Sequence, residues 1–298
     1  MRTLANGKKG SFIACAALIM TFVGSTASSE TLTVATWNLS NLSGDDLAGC
    51  HGRTQSDYDE IKRVINQVDA DVWLFQEVES NGAMARIMSP GAWSFFTEDR
   101  PDWSRQPPCL RGDGSARMQR TGIAVRKELA IGKATDLKFL DVSGKGNLRY
   151  GLSVTIAMGA RAIEIINVHL KSGCSEGSAA EACGVLFEQT PYLASYLAES
   201  TDNGFPVILG GDFNRRLAVA GDDVFSTLSY NKGVGMAISS VTGVSRCSLK
   251  QEEPIDYILT SADLRSFLTV EDAFEYSFTG PFESWPSDHC PVVVRFRM

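Results

Sequence analysis

The chain has 298 residues, of which 44% are hydrophobic and 21% charged, with a formal net charge of −7 and a pI of about 5.1. This composition is that of an ordinary globular protein and excludes a disordered, collagen-like or low-complexity chain. The acidic balance argues against a protein that binds nucleic acid by overall charge. A polyanionic substrate would have to be held by a few well-placed cations.

The N-terminus has the layout of a secretory signal. Arg2, Lys8 and Lys9 precede an apolar run over 12–23, and small residues follow as far as Ser29. This pattern predicts a signal peptide over 1–27 and a mature chain over 28–298. The run is too short to span a bilayer, so we expect no stable membrane insertion. An uncleaved anchor and a lipoprotein site at Cys15 are the alternatives. Removal of the signal takes away three cations and no acid, which leaves a net charge of −10.

Short apolar runs predict eight strands that are buried on both faces or nearly so. They cover 32–37, 72–75, 122–125, 152–156, 163–168, 207–209, 255–259 and 291–296. Many strands with few helices favour an α/β or α+β layered domain.

Two helices are predicted between these strands. Ile61, Val64, Ile65 and Val68 recur at the spacing of an amphipathic helix. A second helix is predicted over 185–197, broken near its start by Pro191. Three polar, glycine-bearing segments are typical of loops over a site, namely 40–57, 97–118 and 221–254.

The mature chain retains an even number of cysteines, which in an exported protein predicts three disulfides with 15 possible connectivities. They are Cys50, Cys109, Cys174, Cys183, Cys247 and Cys290. Cys174 and Cys183 lie nine positions apart in a Gly/Ser/Ala loop and are predicted to pair. Cys50 with Cys109 and Cys247 with Cys290 follow by elimination, with a buried thiol at Cys290 as the alternative. No CxxC pair occurs, which argues against a cysteine zinc site.

Polar residues follow the apolar runs, where a layered sheet presents a cleft to solvent. The motifs are Trp37-Asn38, Gln76-Glu77-Val78, Asn167-Val168-His169, Gly210-Gly211-Asp212-Phe213-Asn214, Ile255-Asp256-Tyr257 and Ser287-Asp288-His289. Each motif alone has an ordinary structural explanation, such as a turn, a helix cap or a surface pair. The histidines carry more weight, because the chain has only three and two of them fall in these motifs. His51 has no comparable context and is interpreted as structural or peripheral.

Taken together and in this order, the motifs resemble the endonuclease/exonuclease/phosphatase superfamily, which includes pancreatic deoxyribonuclease, abasic-site endonucleases, bacterial sphingomyelinases and inositol polyphosphate phosphatases. The resemblance runs over 34–296. It implies a four-layer αββα sandwich of two packed, mostly antiparallel sheets, with the site at one edge. Since residues from 38 to 289 must meet there, it also implies one domain rather than the two that length alone suggests.

The resemblance implies a divalent metal and a general base. Glu77 would be the principal ligand of Mg²⁺ or Mn²⁺, with Asn38 and Asp288 close to the metal, and oxygen-rich sets of this kind suit these ions. His289 would be the general base, and Asp256 would fix its tautomer and raise its basicity.

The remaining site residues would act on the water and the phosphate. Asp212 and Asn214 would orient the attacking water and the phosphoryl oxygens, and His169 would donate to a non-bridging oxygen or protonate the leaving group. Arg149 stands where deoxyribonuclease-like members place a phosphate-contacting arginine. Arg215 and Arg216 are candidates for two further phosphate contacts.

The chain departs from the family pattern before the strand at 122–125. Deoxyribonuclease-like members carry a Tyr and a Glu there, whereas this chain has Met118, Gln119 and Arg120. That places the second acid–base pair in doubt and leaves Arg117 or Arg120 to face the phosphate. Abasic-site enzymes usually carry Tyr-x-x-Asn where this chain has the motif ending in His169, which argues against that subfamily.

The leading functional hypothesis is a secreted or periplasmic, monomeric, non-specific deoxyribonuclease that uses Mg²⁺ or Mn²⁺ and cleaves DNA in preference to RNA. The Asn38-Leu39-Ser40 sequon would place a glycan in the active site, so a bacterial source fits better. A sphingomyelinase, a phospholipase-C-like enzyme or an inositol-phosphate phosphatase is the first alternative. Trp93, Phe95 and Phe96 would form the membrane wedge of a lipid hydrolase, although they are more typical of a half-buried strand. A non-catalytic binding module is the second alternative.

Overall fold

The computed structural model describes residues 31–109, 114–129, 131–230, 233–247 and 252–298. The signal peptide predicted over 1–27 lies outside the described residues. Two six-stranded sheets form within them. In the first sheet the strands lie side by side in the order Thr269–Glu275, Val292–Arg297, Thr31–Leu42, Val72–Val78, Arg120–Arg126 and Trp93–Thr97. In the second the order is Ile131–Leu137, Gly151–Met158, Arg161–His169, Val207–Asp212, Asp256–Thr260 and Ala237–Ile238.

The first sheet carries its helices on its outer face. Its elements are β1 (Thr31–Leu42), α1 (Gln55–Val68), β2 (Val72–Val78), α2 (Asn81–Ile87), β3 (Trp93–Thr97), β4 (Arg120–Arg126), β11 (Thr269–Glu275) and β12 (Val292–Arg297). The second sheet is built from β5 (Ile131–Leu137), β6 (Gly151–Met158), β7 (Arg161–His169), α3 (Glu181–Asp202), β8 (Val207–Asp212), α4 (Asp223–Tyr230), β9 (Ala237–Ile238) and β10 (Asp256–Thr260).

Alternation along the strands explains the layers. In β1, Leu32 and Val34 pack between the two sheets, whereas Trp37 packs under α1 and α2. In β8, Ile208 packs between the sheets and Leu209 packs under α3 and α4. Because neighbouring strand residues point to opposite faces, each central strand supplies two hydrophobic interfaces. Three buried clusters therefore separate four layers, and the predicted αββα sandwich is confirmed.

Each sheet is antiparallel except for one central parallel pair. These pairs are β1 with β2 and β7 with β8. The carboxyl ends of two parallel neighbours lie at the same edge of their sheet, and the sequence motifs with polar residues stand at these ends. The topology thus brings residues that are distant in sequence to one end of the sandwich.

The predicted first helix is confirmed as α1. Its start is fixed by the backbone N–H of Thr54, which donates to Asp57 Oδ2 over 2.7 Å. The prediction that Pro191 breaks the second helix is wrong, because α3 runs from Glu181 to Asp202 with Pro191 inside it. A proline costs about 3 kcal/mol in a helix interior. Buried residues on both sides of it, among them Leu186 and Leu193, outweigh that cost.

Among the described residues, no helix combines the length and the apolar character that crossing a bilayer requires. The aromatic residues considered as a membrane wedge belong to β3. Trp93 is 8% exposed and packs under α1 and α2, and Phe95 and Phe96 pack against buried clusters. The alternative interpretation as a half-buried strand is therefore confirmed.

Candidate active site

The site lies where the parallel strand pairs end. Asn38 stands opposite Gln76 across β1 and β2, and His169 stands opposite Asp212 across β7 and β8. Residue 212 is also paired with Asp256 of β10. Strand register alone therefore brings four of the predicted site residues and Gln76 to one end of the sandwich.

Backbone bulges turn the first sheet's side chains into the site. The β1–β2 register shifts between Asn38 and Leu42, and the β2–β4 register shifts between Phe75 and Val78. Glu77 adopts a left-handed φ of 58°, and Asn41 adopts 66°. A non-glycine residue in this region costs on the order of 1–3 kcal/mol and persists only where its surroundings enforce it. Bulges commonly re-aim a side chain beside an active site, and here they accompany the turn at Glu77.

The two sheets approach closely beneath the site at Gly210. A Cβ at this position would lie 2.6 Å from the Leu74 side chain of the opposite sheet. At Gly211, with φ of 142°, a Cβ would lie 2.0 Å from the Val168 carbonyl oxygen. Only glycine fits these two positions, which explains the Gly-Gly pair immediately before Asp212.

A buried amide pair joins the sheets under the same end. Gln76 Nε2 donates to Asn167 Oδ1 over 2.7 Å. Asn167 Nδ2 in turn donates to the carbonyl oxygens of Phe75 (2.7 Å) and Gly122 (2.8 Å). Gln76 and Asn167 therefore link the two sheets, and neither lines the cavity that Asn38, Glu77 and His289 border.

His289 and Asp256 form the pair that the resemblance implied. His289 Nδ1 lies 2.7 Å from Asp256 Oδ2. Burial alone would lower the pKa of His289, but the carboxylates of Asp256, Asp212 and Asp288 outweigh it and hold the pKa well above its usual 6.5. The hydrogen bond at Nδ1 leaves Nε2 as the atom that can accept a proton.

Asp212 lies at the centre of the polar network. Its Oδ2 accepts a hydrogen bond from Asn38 Nδ2 (3.0 Å), and its Oδ1 accepts one from the backbone N–H of Asn214 (2.8 Å). Oδ2 also lies 3.4 Å from His169 Nε2 and 3.9 Å from His289 Nε2. Burial, together with the nearby Asp256, raises the pKa of Asp212 above its usual range.

His169 is buried and neutral. Burial lowers its pKa well below 6.5, and the charge of Arg149 lowers it further. Its Nδ1 has no hydrogen-bond partner within the part of the chain that the structure describes. A neutral imidazole donates a hydrogen bond readily but is a poor acid at neutral pH, which favours the first of its two predicted roles.

Glu77 faces a central cavity of about 480 Å³ whose walls include Asn38, Gln119, Asp288 and His289. Its Oε2 accepts hydrogen bonds from Gln119 Nε2 (2.8 Å) and Asn41 Nδ2 (3.0 Å). Burial nevertheless raises the pKa of Glu77. A half-buried carboxylate whose hydrogen-bond donors are the neutral amides of Asn41 and Gln119 is a favourable site for a cation. The donor set therefore fits Mg²⁺ or Mn²⁺.

A second group could also hold an ion. One ligand atom each from Asp212, Asp256 and His289 lie within 4.8 Å of one another. In this group, however, the Nδ1 of His289 and one oxygen of Asp256 are already joined by the 2.7 Å hydrogen bond. These two atoms are therefore already engaged with each other, whereas the Glu77 carboxylate is hydrogen-bonded only to amide groups.

The loop that carries Asp288 is bound to the end of β1. Asp288 Oδ1 accepts a hydrogen bond from Ser40 Oγ, and Ser287 Oγ donates to the Asn38 carbonyl over 2.7 Å. The buried guanidinium of Arg53 adds bonds to the carbonyls of Pro286 (2.7 Å) and Leu39 (2.5 Å). These contacts fix residues 287–289 relative to Asn38, so the two motifs form one rigid unit.

The arginines differ in their availability. Arg149 is half-buried and donates to the carbonyl oxygens of His169 (3.4 Å) and Leu170 (3.0 Å), which holds it beside the site. The expectation that Arg215 contacts phosphate is wrong, since it is 3% exposed and ion-paired with Asp222 at 2.6 Å. Arg216 is paired with Glu176 and Glu252, at 3.0 and 2.7 Å.

The arginines before β4 are also engaged elsewhere. Arg117 pairs with Asp45 and Glu79, each at 3.4 Å. Arg120 donates to Asp102 over 2.6 Å. Neither lines the central cavity, so the expectation that one of them faces the phosphate there is not supported.

All three predicted disulfides are present. They join Cys50 to Cys109, Cys174 to Cys183 and Cys247 to Cys290. The third ends at the residue after His289, and the second joins the loop after β7 to the first turn of α3. Two crosslinks thus restrain segments that follow the site histidines.

Several residues that line the central cavity were missed by the sequence interpretation. They include Asn41, His51, Gln119, Phe282 and Trp285. For Gln119, the only sign of a site role in the sequence was its position where the chain departs from the family pattern. His51 was interpreted as peripheral, although it lines the same cavity as Glu77.

Comparison with known proteins places this geometry in a family. A model of the Endonuclease/Exonuclease/phosphatase family matches residues 35–289. No curated protein matches the chain. The human Nocturnin catalytic domain with bound sulfate has a TM-score of 0.65 and 19% identity, over 90% of this chain and 94% of that chain.

Two further solved structures share the fold. An endonuclease/exonuclease/phosphatase from Bacteroides vulgatus has a TM-score of 0.63 and 15% identity, over 90% of this chain and 99% of that one. D. rerio TDP2 complexed with single strand DNA product has a TM-score of 0.59 and 14% identity, also over 90% and 99%. At these identities the likeness shows the fold alone.

Proposed function

The chain belongs to the Endonuclease/Exonuclease/phosphatase family, and from that premise we propose that it is a secreted, Mg²⁺- or Mn²⁺-dependent phosphodiesterase of the deoxyribonuclease type. Family enzymes are divalent-metal-dependent hydrolases of phosphoric esters, and the chain is an enzyme of this class. The finer assignment rests on one observation. A single cavity combines the half-buried carboxylate of Glu77 with His289, whose Nδ1 is bound to Asp256.

Glu77 is the proposed principal metal ligand, with Asn38 and Asp288 beside it. The bound ion would neutralise charge on the phosphate and stabilise the leaving oxygen. Gln119 and Asn41 hold the Glu77 carboxylate in place through two hydrogen bonds to Oε2. Amide donors add no positive charge, so these two hydrogen bonds do not neutralise the carboxylate.

His289 is the proposed general base. It accepts a proton from the attacking water at Nε2, while Asp256 holds the Nδ1 proton over 2.7 Å and stabilises the imidazolium. Asp212 Oδ2 lies 3.9 Å from the same Nε2 and would orient the water. Asn38 and the backbone N–H of Asn214 fix the two oxygens of Asp212.

His169, Asn214 and Arg149 are proposed to act on the phosphate. A neutral His169 donates a hydrogen bond to a non-bridging oxygen, because its lowered pKa keeps it unprotonated. Asn214 Nδ2 donates to the Leu170 carbonyl over 3.1 Å, and its left-handed φ of 52° sets its orientation. The guanidinium of Arg149 is bonded to the carbonyl oxygens of His169 and Leu170, and its charge favours a bound phosphodiester.

Nucleic acid is the favoured substrate, with DNA ahead of RNA. A structural neighbour, D. rerio TDP2, has been solved with a single-strand DNA product. A lipid substrate is disfavoured, because the residues that would have formed a membrane wedge are packed in β3. Contacts made to phosphate carry no sequence information, so cleavage should show little sequence preference.

Secretion is supported by the predicted signal at 1–27 and by the three disulfides, which persist in oxidising compartments. With a mature net charge of −10, binding of a polyanion depends on the metal and on Arg149. We expect the rate to fall as salt rises, since screening weakens these few contacts.

The test is an activity panel on the mature chain with Mg²⁺ or Mn²⁺. Plasmid DNA, RNA, sphingomyelin and inositol phosphates are the substrates, and His289→Ala is the catalytic control. The proposal predicts degradation of DNA, with loss of activity in the variant and in excess EDTA. Intact plasmid and linear DNA at low salt, with hydrolysis of sphingomyelin or an inositol phosphate, would overturn it.

A further inference from the structure

Two aromatic side chains line the central cavity without a role in the proposed chemistry. Phe282 and Trp285 line the same cavity as Glu77 and His289. Their ring centroids lie 5.2 Å apart, with an angle of 57° between the ring planes. Neither ring can ligate a metal ion or serve as a base, so their place in a polar catalytic cavity requires another explanation. We call Phe282 and Trp285 the aromatic wall.

The aromatic wall is the end of a chain of ring contacts that begins in the core. Trp73 contacts Trp37 at 6.3 Å between centroids, and Trp37 contacts Phe278 at 5.9 Å. Phe278 contacts Trp285 at 5.4 Å. The Trp285 indole also donates to the Gly280 carbonyl over 3.2 Å. The wall is therefore supported from behind and has a fixed position.

The same contacts tie the wall to the general base. Trp285 lies four residues before His289, and the indole of Trp37 donates to the His289 carbonyl over 2.8 Å. Thus one aromatic cluster supports both the cavity wall and the base. A ligand that rests on the wall is held at a defined distance from the atom that activates water.

The exposure of the wall suits a ligand inside the cavity better than a membrane surface. Both rings are half-buried, whereas Tyr230 on α4 is 81% exposed. A membrane wedge has to project its apolar surface into the bilayer.

We propose that Phe282 and Trp285 form a stacking subsite for a nucleobase next to the scissile phosphate. Every base has a π-face, so such a subsite binds single-stranded or locally opened DNA without selecting its sequence. It also supplies affinity that does not depend on positive charge, and no Lys or Arg is among the described residues that line the cavity. The inference rests on the proposed function and adds that the enzyme recognises a base of the substrate as well as its phosphate.

The test compares two oligomers with identical phosphates. One is a short single-stranded oligodeoxynucleotide, and the other replaces every base by hydrogen on the sugar. Values of kcat/KM are measured for the wild type, Trp285→Ala, Trp285→Phe and Tyr230→Ala. The last variant is the matched control, because it removes an exposed aromatic ring that does not line the cavity.

The proposal predicts that Trp285→Ala loses about 10-fold more activity on the base-containing oligomer than on the base-free one, mostly through KM. Trp285→Phe keeps an aromatic face and should retain most of the preference. Tyr230→Ala should behave as the wild type on both. In EDTA, the base-containing oligomer should quench tryptophan fluorescence of the wild type and quench Trp285→Phe less.

An equal loss on both oligomers would overturn the inference, because Trp285 would then only position the His289 loop. Wild-type kcat/KM values of Trp285→Ala on both oligomers would overturn it as well. Binding to phosphatidylcholine vesicles that disappears in Trp285→Ala, without an effect on the oligomers, would show a membrane contact instead. Failure of the wild type to hydrolyse plasmid DNA as well as both oligomers would contradict the proposed function itself. Hydrolysis of plasmid DNA with neither oligomer cleaved would overturn only the stacking subsite, which separates the two failures.

Discussion

Replacement of Asp256 by Asn tests how His289 is made a base. Asp256 Oδ2 lies 2.7 Å from His289 Nδ1, and this contact helps to raise the pKa of His289 against the effect of burial. A hydrogen bond to a charged group contributes about 1.5–3 kcal/mol. An Asn amide can also donate to Nδ1, which would leave the proton on Nε2 and remove the acceptor. We therefore expect kcat to fall at least about 100-fold, or about 2.7 kcal/mol in activation free energy.

The pH dependence supplies a second readout of the same variant. The base must be unprotonated, so the wild-type rate rises with pH as His289 loses its proton. Without the carboxylate the pKa of His289 falls, and the acidic limb of the kcat profile should move to lower pH. Stopped assays on a phosphodiester across pH 5–9, with the exposed Asp263→Asn as the matched control, measure both effects. Wild-type kcat and an unmoved limb in Asp256→Asn would refute the assignment of the pair.

Three further predictions concern the metal, the fold and a crosslink. Glu77→Gln should lower activity by more than about 100-fold, since loss of even an outer-shell partner costs about 10–100-fold. In EDTA, Glu77→Gln should raise the free energy of unfolding at pH 7. Burial raises the pKa of Glu77, so ionisation of the carboxyl group above about pH 4.5 destabilises the metal-free fold, and the Gln variant removes that cost. A lower free energy of unfolding in the variant would contradict this. Asn167→Ala should lower the free energy of unfolding in urea by about 3 kcal/mol, since it removes the donor to two buried carbonyl oxygens. A change within about 0.5 kcal/mol, which is typical of a surface substitution, would contradict the role of Asn167 in joining the sheets. Replacing both Cys174 and Cys183 by Ser should cost about 2.5 kcal/mol in the same assay; an unchanged midpoint would count against that crosslink.

The strands with buried apolar runs could be predicted from the sequence, and so could the layered fold. Strand β11 was missed because most of its residues are exposed, so Thr269–Glu275 contains no apolar run. The sequence predicts a loop where the structure has helix α4, Asp223–Tyr230, because its eight residues bury only one short face. Short or exposed elements are stabilised by their neighbours, and a local pattern does not show them.

The polar residues at strand ends could be predicted because each motif directly follows or overlaps an apolar run along the chain. The function of each polar residue could not be read in the same way. Gln76 and Asn167 stand in the same motifs as Glu77 and His169, yet they bond to each other between the sheets. The bulge at Glu77 decides which side chain enters the cavity, and its φ of 58° has no signature in the sequence. Phe282 and Trp285 were missed because aromatic residues in a loop carry no periodic signal.

The position of the metal tests the central claim most directly. Crystals grown with Mn²⁺ and measured at the manganese absorption edge would locate the ion by its anomalous signal. The account predicts a peak in the central cavity bonded to the Glu77 carboxylate, with His289 still paired to Asp256. A peak held by Asp212, Asp256 and His289, with none at Glu77, would contradict both the metal assignment and the general base.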